Sequence, residues 1–387
     1  MRYRLEDIFD LQMGKTPSRN NLDYWNTKDH KWISIGDLSK CERYISDTKE
    51  YISDKAVAES GISEIPANTV IMSFKLSIGK VAITPEPMYS NEAIMSFRDK
   101  HVVEIIPSYI YYMFLNKNWE FGTNKAVMGK TLNKSTLSKV AVDICDIGKQ
   151  YEIVRVLDKA ASIISKRKLE LGKLDEMVNA RFVEMFGDPV YNPKGWPMSR
   201  LEDVCTSIVD CPHSTPHYTD VNTGYICIRT SVVKKNKILW DKVEYIPEEE
   251  YEYRIQRKRP SLNDVVYTRE GAILGIAAVI DRGCNIALGQ RMMLLTPNIN
   301  KCNPIFLSTV MNIESFFYKA IQGVSGSASP HINVGDIKNF SIIIPPIQQQ
   351  NQFVDFVNQI DKSKSAIQKS LDETQTLFNS LMQEYFG

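Results

Sequence analysis

Two stretches of sequence, 200 residues apart, decide the fold of this chain. Residues 150–187 read QYEIVRVLDKAASIISKRKLELGKLDEMVNARFVEMFG, and residues 350–387 read QNQFVDFVNQIDKSKSAIQKSLDETQTLFNSLMQEYFG. They align without a gap, from the glutamine that opens each stretch to the Phe-Gly that closes it. A segment that occurs in the middle of a chain and again at its end indicates a duplication.

Both stretches have the spacing of a long helix. Nine positions from 157 to 185, separated by steps of three and four, read Leu, Ala, Ile, Arg, Leu, Leu, Val, Arg and Met. This seam covers about five heptads and predicts a helix about 55 Å long, which is longer than a globular core needs. The other copy is the obvious partner for it. Three basic residues interrupt the seam and either fix its register or extend their stems at its edge: Arg167, Arg181 and Lys364.

The duplication extends to the rest of the chain. RLEDI at 4–8 recurs as RLEDV at 200–204, and the run TVIMS at 69–73 has a counterpart in DVVYT at 264–268. Alternating β-branched runs of this kind, ended by turn residues, predict strands. The order of segments is therefore domain, long helix, domain, long helix, with a repeat of about 196–200 residues.

Punctuating residues place the boundaries between these segments. DPVYNPKGWP at 188–197 cannot continue a helix, and the prolines at 345–346 end the last strand before the second long helix. We predict an α+β protein with an internal repeat. Its segments are two β-rich mixed domains with short helices, at 1–146 and 188–346, and two long helices, at 147–187 and 347–387.

Composition favours a folded protein and says little about partners. Of the 387 residues, 43% are hydrophobic, and the formal net charge is +1, so bulk charge does not point to nucleic acid. We find no apolar run long enough to span a bilayer and no N-terminal signal pattern, and therefore expect a cytoplasmic protein. The seven cysteines lack C-x-x-C spacing, which indicates reduced thiols.

The motifs that suggest catalysis have the wrong spacing. Gly-Lys-Thr at 14–16 and at 129–131 resembles the end of a phosphate loop, but Phe9 and Asn124 stand where such a loop needs a glycine. His213 and His217 are four residues apart in a proline-rich stretch rather than on a helix, so they do not form a metalloprotease motif. We predict that the chain has no catalytic residue and binds no metal.

The order of the segments resembles the specificity subunit of Type I restriction-modification systems. LEDI at 5–8 leads to GKTPS at 14–18 and then to WISIGDL at 32–38. A closing Leu-Asn at 132–133 leads into the helix at Gln150, as Ile-Asn at 332–333 leads into the helix at Gln350. The resemblance covers essentially the whole chain. It is interrupted at 210–216, where DCPHSTP replaces the Gly-Lys-Thr-Pro-Ser stretch.

This resemblance implies a non-catalytic reader of double-stranded DNA in host defence. Each target-recognition domain is expected to read one half of a split, asymmetric sequence, and an antiparallel coiled coil of the long helices to set the spacing between the halves. Two adenine methyltransferase subunits are expected to dock along the helices. Whether two ATP-dependent restriction and translocation subunits join them is left open. The partners would use S-adenosylmethionine, ATP and Mg, whereas this chain would bind no cofactor and contact no membrane.

Candidate DNA contacts are polar side chains on loops at strand ends, because base edges are read by Arg, Lys, Asn, Gln and Ser. Arg257 belongs to the basic run at 254–259, for which a solvated face beside the acidic residues 248–252 is the alternative. The repeat pairs Lys75 with Arg269 and Lys80 with Ile276. In the first domain the candidates are Lys15, Arg19, Lys75, Lys80, Lys130 and Asn133. In the second they are Arg229, Arg257, Arg269, Arg291, Ser325, Ser327, His331 and Asn333.

Two other functions compete with DNA reading. A fused methyltransferase or nuclease would need a methyl-donor, metal or phosphate motif; the sequence has no glycine-rich methyl-donor loop, and its metal-like and phosphate-like motifs have the wrong spacing. A coiled-coil scaffold that has lost DNA reading would keep the long helices but show no sequence preference on any duplex.

Overall fold

The computed structural model describes residues 1–25, 27–75, 77–119, 124–126, 129–322 and 330–387. It divides the chain into two compact units. The first unit comprises Met1–Lys168 with Lys369–Gly387, and the second unit comprises Leu169–Gln368. The segments predicted from the sequence follow the elements along the chain, whereas compactness divides both long helices between the units.

The first unit is built from short strands and short helices, as its alternating runs predict. Its helices are α1 (Leu5–Ile8), α2 (Ile35–Leu38), α3 (Asp54–Ser60), α4 (Pro107–Asn116) and α5 (Lys134–Ser138), with a 3-10 turn at Leu22–Tyr24. Its strands are β1 (Arg2–Arg4), β2 (Phe9–Met13), β3 (His30–Ile33), β4 (Glu50–Ile52), β5 (Val70–Ser73), β6 (Val81–Ile83), β7 (Tyr89–Ser90), β8 (Ile94–Asp99), β9 (Asn124–Ala126), β10 (Gly129–Thr131) and β11 (Ala141–Asp143).

Three of its sheets form the framework. The order β2-β8-β5-β6 is antiparallel throughout, the order β4-β3-β7 contains one parallel pair, and β1 pairs with β11. Every residue of β5 is buried, because it is a central strand covered on both faces, and α4 packs on the sheet beside it. Edge-to-face contacts of Phe114 with Phe97 and Trp119, at 4.8 and 5.1 Å between ring centroids, fill this core.

The second unit repeats these elements. The first long helix, α6 (Ile147–Phe186), leads into it. Its short helices are α7 (Leu201–Val204), α8 (Glu248–Ile255), α9 (Pro304–Asn312), α10 (Glu314–Ile321) and α11 (Val334–Lys338), with 3-10 turns at Thr230–Val232 and Trp240–Lys242. Its strands are β12 (Met198–Arg200), β13 (Cys205–Asp210), β14 (Tyr225–Ile228), β15 (Val233–Lys234), β16 (Lys237–Ile238), β17 (Glu244–Tyr245), β18 (Val265–Thr268), β19 (Ala277–Val279), β20 (Asn285–Leu288), β21 (Met292–Pro297) and β22 (Ser341–Ile343).

Sheet topology shows that the two units share one fold. The orders β13-β21-β18-β19 and β17-β14-β20 reproduce those of the first unit strand for strand, and β12 pairs with β22 as β1 pairs with β11. In both units the middle sheet combines one antiparallel and one parallel pair. The predicted internal repeat is therefore a repeat of the fold.

The long helices α6 and α12 (Ile347–Phe386) are each 40 residues long. In the second unit, the ring of Phe182 in α6 lies 5.6 Å from the ring of Phe353 in α12. Asp175, which precedes Phe182 in α6, forms an ion pair of 2.6 Å with Lys364, which follows Phe353 in α12. One sequence number falls as the other rises, so the helices run antiparallel within this unit. Lys364, predicted to interrupt the seam, carries its charge to a carboxylate on the facing helix.

In the first unit the final turns of α12 meet the helix α4 and the core beside the start of α6. Phe378 lies 6.2 Å from the ring of Tyr112, and the hydroxyl of Tyr112 donates to Asp158 of α6 at 2.7 Å. Phe386, at the end of α12, lies 5.3 Å from the ring of Tyr109. The closing residues of the chain are therefore part of the core of the first unit.

A buried glutamine near the start of each long helix joins that helix to its domain. Gln150 is fully buried; its amide oxygen accepts from the backbone N–H of Ile106 at 3.0 Å, and its Nε2 donates to two backbone carbonyls, each at 2.9 Å. Gln350 is also fully buried, accepts from the N–H of Asn303 at 2.9 Å, and donates to two carbonyls at 3.0 and 2.8 Å. These glutamines occupy the same position in the two duplicated stretches of sequence, and they make equivalent hydrogen bonds in the structure.

Candidate nucleic-acid interface

Arg269, a predicted DNA contact at the end of β18, lies inside the second unit. It is 6% exposed, and its guanidinium pairs with Asp210, Nε to Oδ1 at 3.0 Å and Nη2 to Oδ2 at 3.2 Å. Its Nη1 also donates to the carbonyl of Ile332 at 3.4 Å. The side chain therefore holds two chain segments together rather than reaching the surface.

Asp210 is one of two carboxylates that each bind a buried arginine and an exposed histidine. Its Oδ2 lies 3.0 Å from Nε2 of His213. Glu250 repeats this arrangement, because its Oε1 accepts from Nε of Arg254 at 2.6 Å and its Oε2 lies 2.9 Å from Nδ1 of His217. The segment 211–217, which we call the clamped loop, is thus fixed through both of its histidines.

Arg254 fixes the clamped loop from the interior of the second unit. Its side chain is fully buried and also donates to the carbonyls of Ser214 at 2.8 Å and Leu288 at 3.2 Å. Burial raises the pKa of Glu250, but the hydrogen bonds from His217 and Arg254 outweigh it and hold that pKa below its ordinary value. Glu250 therefore stays ionised opposite a buried cation.

Arg291 and Arg257 are exposed near this loop. Arg291 has a left-handed backbone, with φ of 74°, and its Nε lies 3.7 Å from a carboxylate oxygen of Glu270. A Cβ at Gly271 would meet Nη1 of Arg291 at 3.2 Å, so glycine permits this approach. Arg257 donates from Nη1 to the backbone carbonyl of Asp210 at 3.1 Å. Both arginines present charge at the surface.

The remaining candidates of the second unit differ in position. His331 forms a single strand-like bridge with Glu270, and Asn333 is exposed and donates from Nδ2 to Asp336 at 3.1 Å. Arg229 is exposed directly after β14 and binds Glu244. Ser325 and Ser327 lie outside the described residues.

In the first unit the candidates occupy several loops. Lys15 is exposed, and its backbone carbonyl accepts from Nε1 of Trp32 at 3.1 Å. Arg19 is exposed after β2, and Lys80 is exposed before β6. Three further candidates complete the set: Lys75, half-buried with its Nζ 5.3 Å from the ring centroid of Phe74; Asn133, whose side chain caps α5 by accepting from Thr136; and Lys130, opposite Lys125 in the β10–β9 pair.

Backbone hydrogen bonds correct one pairing taken from the repeat. The carbonyl of Phe74 accepts from the N–H of Leu132 at 3.0 Å, as the carbonyl of Arg269 accepts from the N–H of Ile332 at 2.9 Å. Phe74 is therefore the counterpart of Arg269, and the prediction that paired Lys75 with Arg269 was one residue out of register.

The pairing of Lys80 with Ile276 agrees with the structure. The backbone N–H of Lys80 donates to the Ser73 hydroxyl at 3.0 Å, and that of Ile276 donates to the Thr268 hydroxyl at 2.9 Å. Equivalent positions of one backbone framework therefore carry different chemistry, an exposed cation in the first unit and a half-buried alkyl group in the second.

The clamped loop was not recognised from the sequence. The sequence presents His213 and His217 only as possible metal ligands, because Asp210 lies 59 residues from Arg269 and Glu250 lies 33 residues from His217. The sequence did contain one signal, because the clamped loop is two residues longer than its counterpart in the first unit. Thr16, three residues after β2, bonds to Glu92, and the equivalent Thr215, five residues after β13, bonds to Gln290 at 3.3 Å.

Two copies of one α+β fold, each presenting basic and amide side chains on its loops, define a duplicated recognition protein. The family model described as the Type I restriction modification DNA specificity domain matches residues 1–172 and again residues 193–374. The chain belongs to this family.

Relatives with curated names agree along most of their length. The chain is 24% identical over 364 residues to the Type I restriction enzyme MjaIX specificity subunit of Methanocaldococcus jannaschii, which covers 89% of this chain and 82% of that protein. It is 19% identical over 379 residues to the EcoprrI specificity subunit of Escherichia coli, covering 94% and 88% of the two chains.

Solved structures show the same fold. The S subunit of a Type I restriction-modification system from M. genitalium superposes with a TM-score of 0.57 at 10% identity, covering 100% of this chain and 96% of that one. A chain from the work "Structural basis underlying complex assembly and conformational transition of the type I R-M system" gives a TM-score of 0.58 at 14% identity, covering 100% and 97%. The predicted fold class is confirmed.

The predicted specificity function is confirmed at the level of the family. The chain is a specificity subunit of a Type I restriction-modification system, which assembles with other subunits and with DNA. Such subunits are non-catalytic, and catalysis lies in their partners.

All seven cysteines are free thiols, and burial raises the pKa of Cys205 to about 12. In the described part of the chain, no helix has both the length and the apolar character needed to cross a membrane.

Proposed function

We propose that each unit reads one half of a split, asymmetric DNA sequence. The observation that carries this proposal is the repeated framework with different side chains at matched positions, such as exposed Lys80 against half-buried Ile276 and half-buried Ser34 against exposed Arg229. Two domains with one shape but different surface chemistry would dock on DNA in the same way and recognise different bases.

In the second unit, Arg291 and Arg229 are the best-suited base readers, because an exposed guanidinium can bond bidentately to guanine. Arg257, His331 and Asn333 would add contacts, and the segment that contains Ser325 and Ser327 is proposed from the sequence alone. Arg269 and Arg254 take a different role, since they are buried and shape the clamped loop.

In the first unit, Arg19 is the proposed base reader. The lysines Lys15, Lys75, Lys80 and Lys130 are better suited to phosphates, because an ammonium is a point charge without a planar edge. Asn133 is engaged in capping α5 through its side-chain oxygen, which leaves its amide N–H groups as donors for DNA. With a formal net charge of +1, the chain depends on the local placement of these cations for affinity.

The long helices are proposed to set the spacing between half-sites and to dock two methyltransferase subunits. Two separated readers contact one face of a duplex only when their spacing suits the roughly 34 Å helical repeat of DNA. The proposed partners use S-adenosylmethionine, and any restriction and translocation subunits use ATP and Mg. The junctions at Gln150 and Gln350 support the spacing role, because each fixes its helix to the adjoining domain.

The test is methylome sequencing of a methylation-free host that expresses this chain with the methyltransferase encoded beside it. The expected result is adenine methylation at a single two-part motif with a fixed spacer, absent when the methyltransferase is expressed alone. Methylation without a two-part motif would overturn the proposal. An absence of sequence preference in binding to any duplex would favour the scaffold alternative.

A further inference from the structure

The first unit holds an exposed arginine between a glutamate and an aromatic ring. Arg19 bonds to both carboxylate oxygens of Glu50, with Nη2 to Oε2 at 3.1 Å. Its guanidinium carbon lies 3.8 Å from the ring centroid of Trp25. Its side chain is 49% exposed, so the group is fixed in orientation while one side still meets solvent.

The second unit contains the same arrangement. Nη1 of Arg229 donates to both carboxylate oxygens of Glu244, each at 2.8 Å, and the guanidinium carbon lies 5.0 Å from the ring centroid of Tyr218. The Arg229 side chain is 46% exposed. The hydrogen bond with Glu244 raises the pKa of Arg229 above its ordinary value, so the pair is ionic.

The two glutamates occupy one position of the repeated fold. Glu50 begins β4 and lies opposite Trp32 of β3, and Glu244 begins β17 and lies opposite Cys227 of β14. Trp32 and Cys227 are themselves equivalent, since each is the next-to-last residue of its strand and pairs in parallel with the third strand of its sheet. Duplication of the fold therefore accounts for the matched glutamates.

Duplication does not account for the matched arginines. Arg19 comes from the segment between β2 and β3, whereas Arg229 follows β14 directly, at the place that Ser34 holds in the first unit. The two guanidinium groups reach equivalent glutamates from different parts of the sequence. Two independent routes to one arrangement indicate that the arrangement itself is required.

We infer that Glu50 and Glu244 are positioning residues that present Arg19 and Arg229 to base edges, one in each half-site. A guanidinium has five N–H donors. In each pair the glutamate takes two of them, which leaves three donors, including Nε, for a bidentate contact with guanine O6 and N7. This inference rests on the proposed function and adds its two matched reading groups.

The adjacent carboxylate also directs the arginine toward bases. A lone exposed arginine is attracted to the nearest phosphate, which carries no sequence information. Beside a glutamate the pair is close to neutral, so attraction to phosphate is weakened while the directional N–H donors remain. The aromatic ring adds a cation–π contact and restricts rotation of the guanidinium plane.

The test uses the complex of this chain with its methyltransferase, after the recognition motif is known. Glu244→Gln and Glu50→Gln are compared on duplexes in which each base pair of each half-site is changed in turn. The expected result is a loss of discrimination on the order of tenfold at one position. That position lies in one half-site for Glu244→Gln and in the other half-site for Glu50→Gln. Glu249→Gln, an exposed charge loss on α8, is the matched control and should change neither.

A charge-reversed pair separates positioning from simple stabilisation. Arg229→Glu combined with Glu244→Arg keeps the attraction but moves the guanidinium onto β17, so we expect an unchanged melting temperature and no recovery of discrimination. Recovery of discrimination by this double variant, or full discrimination by both single variants, would overturn the inference while the proposed function stands. A wild-type complex without a two-part motif would overturn both.

Discussion

Arg269 occupies in the second unit the place that Phe74 occupies in the first. The backbone carbonyl of Arg269 accepts a hydrogen bond from the N–H of Ile332 at 2.9 Å, and that of Phe74 accepts one from the N–H of Leu132 at 3.0 Å. The fold therefore accepts at this point either a buried phenyl ring or a buried guanidinium. The guanidinium requires a buried counter-ion, and Asp210 supplies it from 59 residues earlier in the chain.

Replacing Asp210 should therefore destabilise the second unit strongly. Asp210→Ala leaves Arg269, with a side chain 8% exposed, as an uncompensated buried cation, at a cost of about 3–5 kcal/mol. Urea unfolding measures this cost, with Asp220→Ala as an exposed control. A cost below about 1 kcal/mol, the usual limit for an exposed ion pair, would show that the pair is not buried in solution.

The junction glutamines should matter equally in the two halves. Gln150→Ala or Gln350→Ala leaves three backbone groups without their side-chain partner, and we expect each change to cost about 3 kcal/mol or more. Denaturant unfolding tests this, and Gln348→Ala, at an exposed position of α12, is the control. A small effect at either glutamine alone would contradict the equivalence of the two junctions.

Acid should weaken the clamp that Glu250 forms. The pKa of Glu250 in the folded chain lies below its ordinary value of 4.5, so its contribution is complete above that value and is lost as the pH falls through the lowered pKa. The stability difference between wild type and Glu250→Gln should therefore shrink below about pH 4.5. Urea midpoints of both proteins, measured from neutral to acid pH, test this; a constant difference would contradict it.

Arg291 should act in one half-site only. Arg291→Ala removes an exposed guanidinium held near Glu270, and we expect a loss of about 1–3 kcal/mol at one base pair of the half-site read by the second unit. Binding of the methyltransferase complex to duplexes changed in either half-site measures it. An equal loss in both half-sites would mean that Arg291 contributes general affinity rather than recognition.

Shortening both helices together should shorten the spacer. Deleting residues 165–171 and 365–371 removes one heptad from each helix and preserves the face that each presents. The expected change is about 10 Å, on the order of three base pairs. Methylome sequencing reports the new motif, and an unchanged spacer would refute the proposed role of the helices.

The helices and the repeat could be predicted because their signals are local and occur twice. The seam from 157 to 185 and its copy needed no knowledge of tertiary contacts, and the resemblance supplied their antiparallel arrangement. The roles of individual polar residues could not be predicted in this way. Nothing near Arg269 in the sequence shows that it will be buried and paired with Asp210, and nothing near Arg19 shows that it will pair with Glu50. Such pairings depend on which loops the finished sheets bring together.

The first unit contains two separate segments of the chain, and this affects the order in which the two units are completed during synthesis. Its core includes Phe378 and Met382, near the end of α12, packed with Ile153 and Leu157 of α6. A ribosome adds the last residue of the second unit, Gln368, before it adds residues 369–387 of the first unit. The half that is translated first therefore keeps an uncovered apolar face until after the second unit has been synthesised, and it is completed after that unit.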